Sequence, residues 1–361
     1  MIDCYINNTS AFLPGYPIEN DSIQEHLGSI DGDDEIRDQV LAMNRIKKRY
    51  YAQDSNQKET HDLYQLALEA ALLICKEDKA KEISFLSTGT TYSPLAAPGV
   101  ASILHDRLRE NSFLDFPIEI SSHSGICTSG SAAFLNAIRV INCGQHKTAL
   151  CIAAEHPSAI LKGSVISPVD DRHEHTRLRD SQWFMSVFLR YMLSDGAGAF
   201  LLSDKPTEGI SLRVNWTYSR SFAHAGPLCM KLDNKNALLS QDLKILSRHL
   251  FTFADKFVED CLNTHKESFD NYDVILPHMS SFFFQKKMEK VIAKYTNTKE
   301  SITPYWTNLA NVGNTGSASI YIMLDEYLKC HDLKDGQRIL LFIPESGQFN
   351  FVIVSLTVVL S

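Results

Sequence analysis

Hydrophobic positions along this chain change their spacing repeatedly, from short apolar runs typical of buried strands to the wider spacing of amphipathic helices. A helix is predicted from Leu63 to Cys75 because four apolar residues lie near helical spacing: Leu66, Leu68, Ala71 and Leu72. The other elements predicted for the first half are strands at Tyr5 to Asn7, Ile83 to Leu86, Ile118 to Ile120, Ala149 to Ala154 and Ala199 to Leu202, and helices from about Gly99 to Leu108 and Cys127 to Asn142.

The second half follows the same plan. Its predicted elements are helices around Leu239 to Leu262, Phe284 to Ala293 and Asn314 to Leu328, and strands at Val274 to Leu276, Ile339 to Phe342 and from Phe349 onward. Strands that alternate with helices imply crossover connections. We therefore expect an α/β fold with a largely parallel sheet and helices on both faces.

Two short segments indicate that the halves are related. Cys127-Thr-Ser-Gly-Ser-Ala-Ala133 and Asn314-Thr-Gly-Ser-Ala-Ser319 are near-copies, and each precedes an apolar helix, a hydrophobic strand and then a glutamate, Glu155 or Glu345. A tandem duplication of one α/β unit produces this pattern, with halves 1–205 and 206–361 and with the two helix starts equivalent in space. A chance match between runs of small residues is the alternative.

Composition narrows the classes of partner. The chain has 361 residues, 44% of them hydrophobic, which is ample for a buried core and excludes a disordered or fibrous protein. Its 35 basic and 43 acidic residues give a formal charge of −8, and no long basic run occurs, so nucleic-acid binding is not expected. Small neutral or acylated partners fit better.

Cysteine usage and the apolar segments indicate a cytoplasmic protein that is not in a membrane. The eight cysteines form no C-x-x-C pair and no zinc-type spacing, so we interpret them as reduced thiols. The first residues show no secretory signal pattern. The apolar run from Ile339 to Leu360 contains Pro344, Glu345 and Gly347 and falls short of the ~20 apolar residues of a membrane span. It is predicted as two buried strands around a turn.

No metal or dinucleotide site is expected. Four histidines were considered as metal ligands, but their spacing is not that of a metal site: His123, His156, His173 and His175. The segment Ser194-Asp-Gly-Ala-Gly-Ala199 lacks the G-x-G-x-x-G pattern of a strand-to-helix turn, and we interpret it as a tight turn before a strand.

Cys127 is the candidate nucleophile. It lies in the small-residue turn Gly125-Ile-Cys-Thr-Ser-Gly130, which enters a helix that is apolar on all faces and is therefore buried. The amino terminus of such a helix directs free N–H groups and a partial positive charge at the sulfur, which favours the thiolate. The alternative is a buried structural cysteine, which we accept for Cys143, Cys151 and Cys261.

His278 and Asn314 complete a candidate catalytic set. His278 comes directly after a buried strand, where an open α/β sheet places its ligand crevice; a capping or core histidine is the alternative. Asn314 occupies the helix start that the duplication pairs with Cys127, and its alternative role is an ordinary N-cap. Together the three side chains can attack a carbonyl and donate two hydrogen bonds to an oxyanion or enolate.

Two further residues are weaker candidates. Glu155, just past a strand end, could act as a base, but a structural glutamate in a salt bridge is the interpretation that the sequence favours. Gly347, between the last two strands, could donate a backbone N–H to an oxyanion hole together with that of Cys127, or could serve the turn alone.

With these residues in this order, the chain resembles the thiolase superfamily, and within it the ketoacyl-carrier-protein synthase III branch. The motifs that carry the resemblance are Gly-Ile-Cys127-Thr-Ser-Gly, Asp195-Gly-Ala-Gly-Ala, Leu-Pro-His278, Val-Gly-Asn314-Thr-Gly-Ser-Ala-Ser and the basic segment Arg45-Ile-Lys-Lys-Arg49. The resemblance spans nearly the whole chain. It implies the five-layered αβαβα thiolase fold, a homodimer, and acyl transfer through a thioester on cysteine. Acyl-CoA or acyl carrier protein would be the partner, with no permanently bound cofactor.

Two departures argue against a housekeeping role in priming fatty-acid synthesis. The family's Pro-His-Gln-Ala-Asn is replaced by Pro-His278-Met-Ser-Ser-Phe-Phe-Phe, and its glycine-rich carboxyl-terminal loop is reduced to Ser-Gly347-Gln. The opening Tyr5-Ile-Asn with Phe-Leu-Pro-Gly15, and the Ala-Glu155-His segment, look more like bacterial ketosynthases that make dialkylresorcinols and stilbenes. Those enzymes join two acyl units and close a cyclohexanedione ring.

This resemblance implies a ping-pong condensation, for which three rivals remain. They are a synthase III that condenses acetyl groups with malonyl-carrier protein, a papain-like cysteine peptidase, whose nucleophile also precedes its histidine and asparagine, and a catalytically silent partner subunit. Carrier docking is expected near Arg45 to Arg49 or Lys286 to Lys290; a solvated charged face is the alternative.

Overall fold

The computed structural model describes residues 2–74, 82–178, 181–233, 238–296 and 302–361; Cys75, where the first predicted helix ends, lies outside them. Within these ranges the strands are β1 (Tyr5–Phe12), β2 (Ile18–Glu19), β3 (Lys48–Arg49), β4 (Phe85–Thr90), β5 (Glu119–Ser124), β6 (Thr148–Glu155), β7 (Gly196–Ser203), β8 (Ile210–Ser221), β9 (Met230–Asp233), β10 (Leu238–Gln241), β11 (Val274–Pro277), β12 (Arg338–Pro344) and β13 (Asn350–Leu360). The α-helices are α1 (Ile23–Leu27), α2 (Asp34–Asn44), α3 (Leu63–Ile74), α4 (Val100–Glu110), α5 (Ser129–Asn142), α6 (Gly163–Ile166), α7 (Gln182–Arg190), α8 (Leu243–His265), α9 (Gln285–Lys294), α10 (Leu309–Val312) and α11 (Ser319–Cys330).

Nine of the described strands form one mixed sheet in the order β11-β12-β13-β8-β1-β7-β6-β4-β5. The expectation of a largely parallel sheet is wrong. Only β4 with β5, β4 with β6 and β11 with β12 run parallel, and the other five neighbouring pairs are antiparallel. Helical crossovers join the parallel strands: α4 lies between β4 and β5, α5 lies between β5 and β6, and α9, α10 and α11 lie between β11 and β12.

The sheet repeats one arrangement in its two halves. In the first half β4 is parallel to β6, and β7 and then β1 add antiparallel strands; in the second, β11 is parallel to β12, and β13 and then β8 add antiparallel strands. The halves meet where β1 pairs with β8, at only two register positions, Tyr5 with Arg213 and Ile6 with Leu212. This matches the duplication expected from the two helix starts.

Three apolar clusters separate five layers. The central cluster joins α5 and α11 to the sheet faces that enclose them, including Phe134, Tyr321 and Leu341. A second cluster packs α3 and α4 on the outer face of the first half, and a third packs α8 and α9 on the outer face of the second half. The order of helices, sheet, helices, sheet, helices is the αβαβα architecture that the sequence resemblance implies.

The starts of the two central helices touch each other. A Cβ built on Gly130 would lie 2.4 Å from the carbonyl oxygen of Ser317, so a larger residue does not fit there. Tyr321 adds a hydrogen bond of 2.8 Å from its hydroxyl to the carbonyl oxygen of Gly130. The fold therefore brings the segment that follows Cys127 against the segment that follows Asn314.

Several boundaries differ from the sequence expectations. The segment after Asn314 begins as a single 3-10 turn at Gly316–Ala318, and α11 starts at Ser319. Residues near Leu239 form strand β10, and α8 starts only at Leu243, where Asp242 caps it through the N–H groups of Lys244 and Ile245. No helix in the described ranges is long and apolar enough to cross a membrane.

Candidate active site

Cys127 lies in the turn between β5 and α5 and borders two pockets. Pocket A is bordered by Cys127, Glu155 and Asn314 and by a largely apolar wall that includes Tyr92, Ile160, Leu189, Met192, Met230 and Leu239. Pocket B is bordered by Cys127 and His278 and by Leu246, Leu250, Phe251, Phe284 and Met288. Ser280 and Ser346 border both pockets. The structure thus places all three predicted catalytic side chains around one sulfur-bearing site.

The thiol of Cys127 is not poised as a thiolate, which corrects the expectation from the helix start. Cys127 is only 8% exposed. Burial raises the pKa of the thiol well above its usual range, and the carboxylates of Glu345 and Glu155 raise it further. The backbone N–H groups of Cys127 and Ser346 lower this pKa without offsetting burial. Cys127 is therefore a neutral thiol at neutral pH.

His278 is a neutral, unpartnered imidazole beside pocket B. It follows β11, is 3% exposed, and its backbone N–H donates to the carbonyl oxygen of Phe342 at 2.8 Å. Burial lowers the pKa of the ring to about 4. Neither Nδ1 nor Nε2 has a hydrogen-bond partner among the described residues. Buried polar atoms normally find partners, so the ring is available to a substrate or a proton.

Asn314 has its side chain fixed by its own turn. Its backbone N–H donates to the carbonyl oxygen of Met192 at 3.1 Å, and its carbonyl oxygen accepts from Ser194 N–H at 2.9 Å. Oδ1 accepts from Gly316 N–H at 3.0 Å. Because Oδ1 is occupied, the amide NH2 is the group that Asn314 can offer in pocket A.

Glu155 is a buried carboxylate held by hydroxyl and backbone donors. Its Oε1 accepts from the N–H and hydroxyl of Thr91, at 3.0 and 2.7 Å, and from the N–H of Ser317 at 3.1 Å as well as the Ser317 hydroxyl. Burial raises the pKa of Glu155 to about 7, although these donors oppose the rise. No salt bridge to Glu155 exists among the described residues. The interpretation of Glu155 as a structural glutamate in a salt bridge is therefore not supported.

Ser346 is a site residue that the sequence analysis missed. It borders both pockets together with Cys127, and its backbone N–H lowers the pKa of the Cys127 thiol. Gly347 follows it, and a Cβ there would lie 2.8 Å from Cγ1 of Ile126, the residue before Cys127. The short Pro344-Glu-Ser-Gly segment was the available signal, but it does not show which N–H faces the sulfur.

Other sequence candidates take structural positions. Arg49 is fully buried and donates to Oδ1 of Asn20 at 2.6 Å and to the carbonyl oxygen of Tyr191, so it is not a docking charge. Asp195 is buried and accepts from Ala52 N–H at 2.6 Å and Ser158 N–H at 2.9 Å. Within the part of the chain that is described, no three His, Cys, Asp or Glu side chains are grouped in a way that could hold a metal ion.

Comparison with known proteins agrees with this geometry. Residues 267–344 match the family described as 3-Oxoacyl-[acyl-carrier-protein (ACP)] synthase III C terminal. The Beta-ketoacyl-[acyl-carrier-protein] synthase III of Clostridium novyi (strain NT) is 25% identical over 353 residues, which cover 94% of this chain and 95% of the relative. The chain is thus similar over nearly its whole length to ketoacyl synthases of the synthase III type.

Two solved structures share the fold of this chain. A Xanthomonas campestris OleA variant superposes with a TM-score of 0.78 at 17% identity and covers 99% of this chain and 98% of its own. AbyA1, a tetronic acid condensing enzyme, gives a TM-score of 0.76 at 19% identity over 98% of this chain and 99% of its own. The comparisons support an acyl-transferring condensing enzyme, and the papain-like alternative does not fit this fold.

Proposed function

We propose that this protein is a ketosynthase and cyclase that joins two acyl units and closes a cyclohexanedione ring, giving a precursor of dialkylresorcinols or stilbenes. The observation that carries the proposal is the meeting of two largely apolar pockets at Cys127, one of which also contains the buried carboxylate Glu155. Two pockets suit a reaction with two acyl chains. A base with a pKa of about 7 suits the extra proton removal that ring closure needs.

In the first step the Cys127 sulfur attacks the carbonyl carbon of an acyl thioester. Because the thiol is protonated at rest, a base must take its proton as the carbon–sulfur bond forms. The neutral His278 ring has one unprotonated nitrogen that can accept it, since neither ring nitrogen has a partner among the described residues. The backbone N–H groups of Cys127 and Ser346, which lower the pKa of the thiol, are the proposed donors to the developing oxyanion; Gly347 N–H is the other candidate. The substrate thiol then leaves with the proton.

In the second step a β-ketoacyl thioester enters with its thioester carbonyl near His278 and Asn314. The neutral His278 ring takes the proton from the carbon between the two carbonyls, and the Asn314 NH2 and the resulting imidazolium donate hydrogen bonds to the enolate. The enolate carbon attacks the acyl carbon on Cys127, a carbon–carbon bond forms, the carbon–sulfur bond breaks, and the sulfur takes the proton back from His278. If the first acyl chain is α,β-unsaturated, a second carbanion adds to the double bond and closes the ring, with Glu155 as the base.

Substrates are proposed to arrive as thioesters of CoA or of an acyl carrier protein. A surface groove bordered by Val40, Met43, Phe283 and Phe284 reaches Ser280, Met192 and Gln241, which also border pocket A. Arg45 lies on this face, over the Phe282 ring and hydrogen-bonded to the Phe282 carbonyl oxygen at 3.3 Å. Arg45 also donates to Oε1 of Gln285, the residue before the exposed Lys286, so we place carrier docking on this face, without the buried Arg49.

A synthase III that condenses acetyl groups with malonyl-carrier protein is the second candidate, and the synthase III relatives favour it. Intact-protein mass after brief exposure to acetyl, medium-chain and cinnamoyl-type thioesters distinguishes the two, with Cys127→Ala as the control. Adducts on wild type alone that favour longer or aryl acyl groups, followed by a cyclic product with a β-ketoacyl thioester, support the ring-forming ketosynthase. Acetyl preference with a linear product from malonyl-carrier protein overturns it.

A further inference from the structure

Glu345 connects two segments that meet at the nucleophile. It follows β12 and is 3% exposed. Its Oε2 accepts from the Thr128 N–H at 3.3 Å and from the Thr128 hydroxyl. Its Oε1 accepts from the Asn350 NH2 at 2.9 Å and the Gln348 N–H at 3.4 Å. One carboxylate therefore holds both the residue after Cys127 and the turn that begins with Ser346.

The turn around Gly347 packs directly against the nucleophile's turn. A Cβ on Gly347 would lie 2.7 Å from Oε1 of Glu345 and 2.8 Å from Cγ1 of Ile126. Thr128 is buried as well. Since Ser346 borders both pockets together with Cys127, a shift of this turn would displace the Ser346 N–H from the site.

The charge of Glu345 by itself opposes nucleophile activation. No Lys or Arg forms a salt bridge with Glu345 in the described ranges, and the carboxylate raises the pKa of the Cys127 thiol more than Glu155 does. His278 borders the site from pocket B and carries no charge near neutral pH. Because the carboxylate makes the thiolate less favourable, any contribution of Glu345 to acyl transfer must come from the groups that it holds in place.

We propose that Glu345 is a positioning residue, which holds the Cys127 turn and the Ser346 N–H in the geometry that receives the oxyanion. This inference rests on the proposed acyl transfer to Cys127. Asn350 and Thr128 both present donors, so an amide at position 345 cannot accept from both sides. The role resembles that of Glu155, which holds Ser317 at the other helix start.

The test separates position from charge with two variants. Glu345→Gln removes the charge and one acceptor, and Thr128→Val removes the hydroxyl contact and keeps the charge. Asp325→Asn is the matched control, because Asp325 is a buried carboxylate bonded to Thr9 and Lys329 and borders neither pocket. Each protein is assayed for the pH dependence of iodoacetamide alkylation at Cys127 and for the rate of acyl loading by intact mass.

For Glu345→Gln we expect an alkylation midpoint at lower pH together with acyl loading that is slower by about 10-fold to 10²-fold. Thr128→Val should slow loading without lowering the alkylation midpoint, and Asp325→Asn should change neither. The positional role is overturned if Glu345→Gln loads the acyl group at the wild-type rate. It is also overturned if the variant is faster than wild type in both loading and alkylation. Absence of loading in wild type overturns the proposed function and this role with it, while the alkylation shift still reports the carboxylate beside the thiol.

Discussion

Glu155 Oε1 accepts a hydrogen bond of 3.1 Å from the backbone N–H of Ser317, so a carboxylate at the end of a strand in the first half holds the helix start of the second. Glu345 makes the reciprocal contact, from the second half to Thr128 in the first. The turns that carry Cys127 and Asn314 are therefore each held by a glutamate from the opposite half. Substitutions at these glutamates should affect chemistry as well as stability.

Glu155→Gln should retain acyl loading on Cys127 and lose ring closure by about 10²-fold to 10⁴-fold, because an amide cannot accept the proton. In wild type, ring closure should increase as pH rises through about 7, where the carboxylate becomes ionised. Product analysis by liquid chromatography and mass spectrometry from pH 5.5 to 8.5 measures both effects. Equal cyclic product from wild type and variant would remove Glu155 from the mechanism.

The same carboxyl should make folding stability depend on pH. Its pKa is about 7 in the folded chain and 4.5 as the ordinary value, so the folded state binds the proton more tightly. This stabilisation is fully present below pH 4.5 and is lost as pH rises through about 7, by about 3 kcal/mol in total. Glu155→Gln should therefore flatten the change in free energy of unfolding between pH 5 and pH 8, measured by urea titration. An unchanged difference between those two pH values would contradict the pKa assigned to Glu155.

Asn314→Ala should slow condensation by about 10² to 10³ in rate, because it removes one of two donors to the enolate. Acyl loading should change much less, since the oxyanion of that step is bound by backbone N–H groups. Single-turnover rates of loading and condensation separate the two steps. Asn308→Ala is the control: Asn308 is also a buried asparagine, bonded to Glu326 at 2.8 Å, and it borders neither pocket. If Asn314→Ala slows loading and condensation equally, Asn314 has a structural role and is not a donor to the enolate.

The homodimer implied by the family resemblance has a candidate surface in β5. This strand is an edge of the sheet, paired only with β4 in the described chain, and Ile120 on it is 39% exposed. Unprotected edges with exposed apolar residues pair with other strands. Ile120→Lys should shift the molecular mass toward that of a monomer, as measured by light scattering, with the thermal midpoint little changed. A dimer that persists unaltered would place the interface elsewhere.

Elements with a clear local pattern could be predicted from the sequence, and elements defined by distant partners could not. Strands β6 and β11 contain continuous apolar runs, and the turns at Cys127 and Asn314 are small-residue segments before apolar helices. Strand β8 alternates apolar and polar residues from Ile210 to Ser219, so its local pattern was available, but the sequence analysis left it unassigned. Its antiparallel pairing with the distant strands β1 and β13 could not be inferred from that pattern, and the parallel part of the sheet was overestimated.

The candidate site divides in the same way. Cys127, His278 and Asn314 each follow a recognisable strand or turn, and the structure collects them around two pockets. The donors that hold Glu155 come from Thr91 and Ser317, which are 64 and 162 positions away in the chain. The expectation of a lowered pKa for the Cys127 thiol was wrong. It considered the partial positive charge at the helix start but not the burial of the thiol, which raises the pKa.

The close approach of Gly130 to Ser317 restricts which substitutions this chain can accept during evolution. Any side chain at position 130 would push apart the two turns that carry Cys127 and Asn314. Substitution of this glycine is therefore disfavoured by contacts from both halves. Each half also supplies the carboxylate that the other requires. The duplicated units have thus become mutually dependent, and severing the gene between codons 205 and 206 would release two fragments that each lack half of the reaction centre.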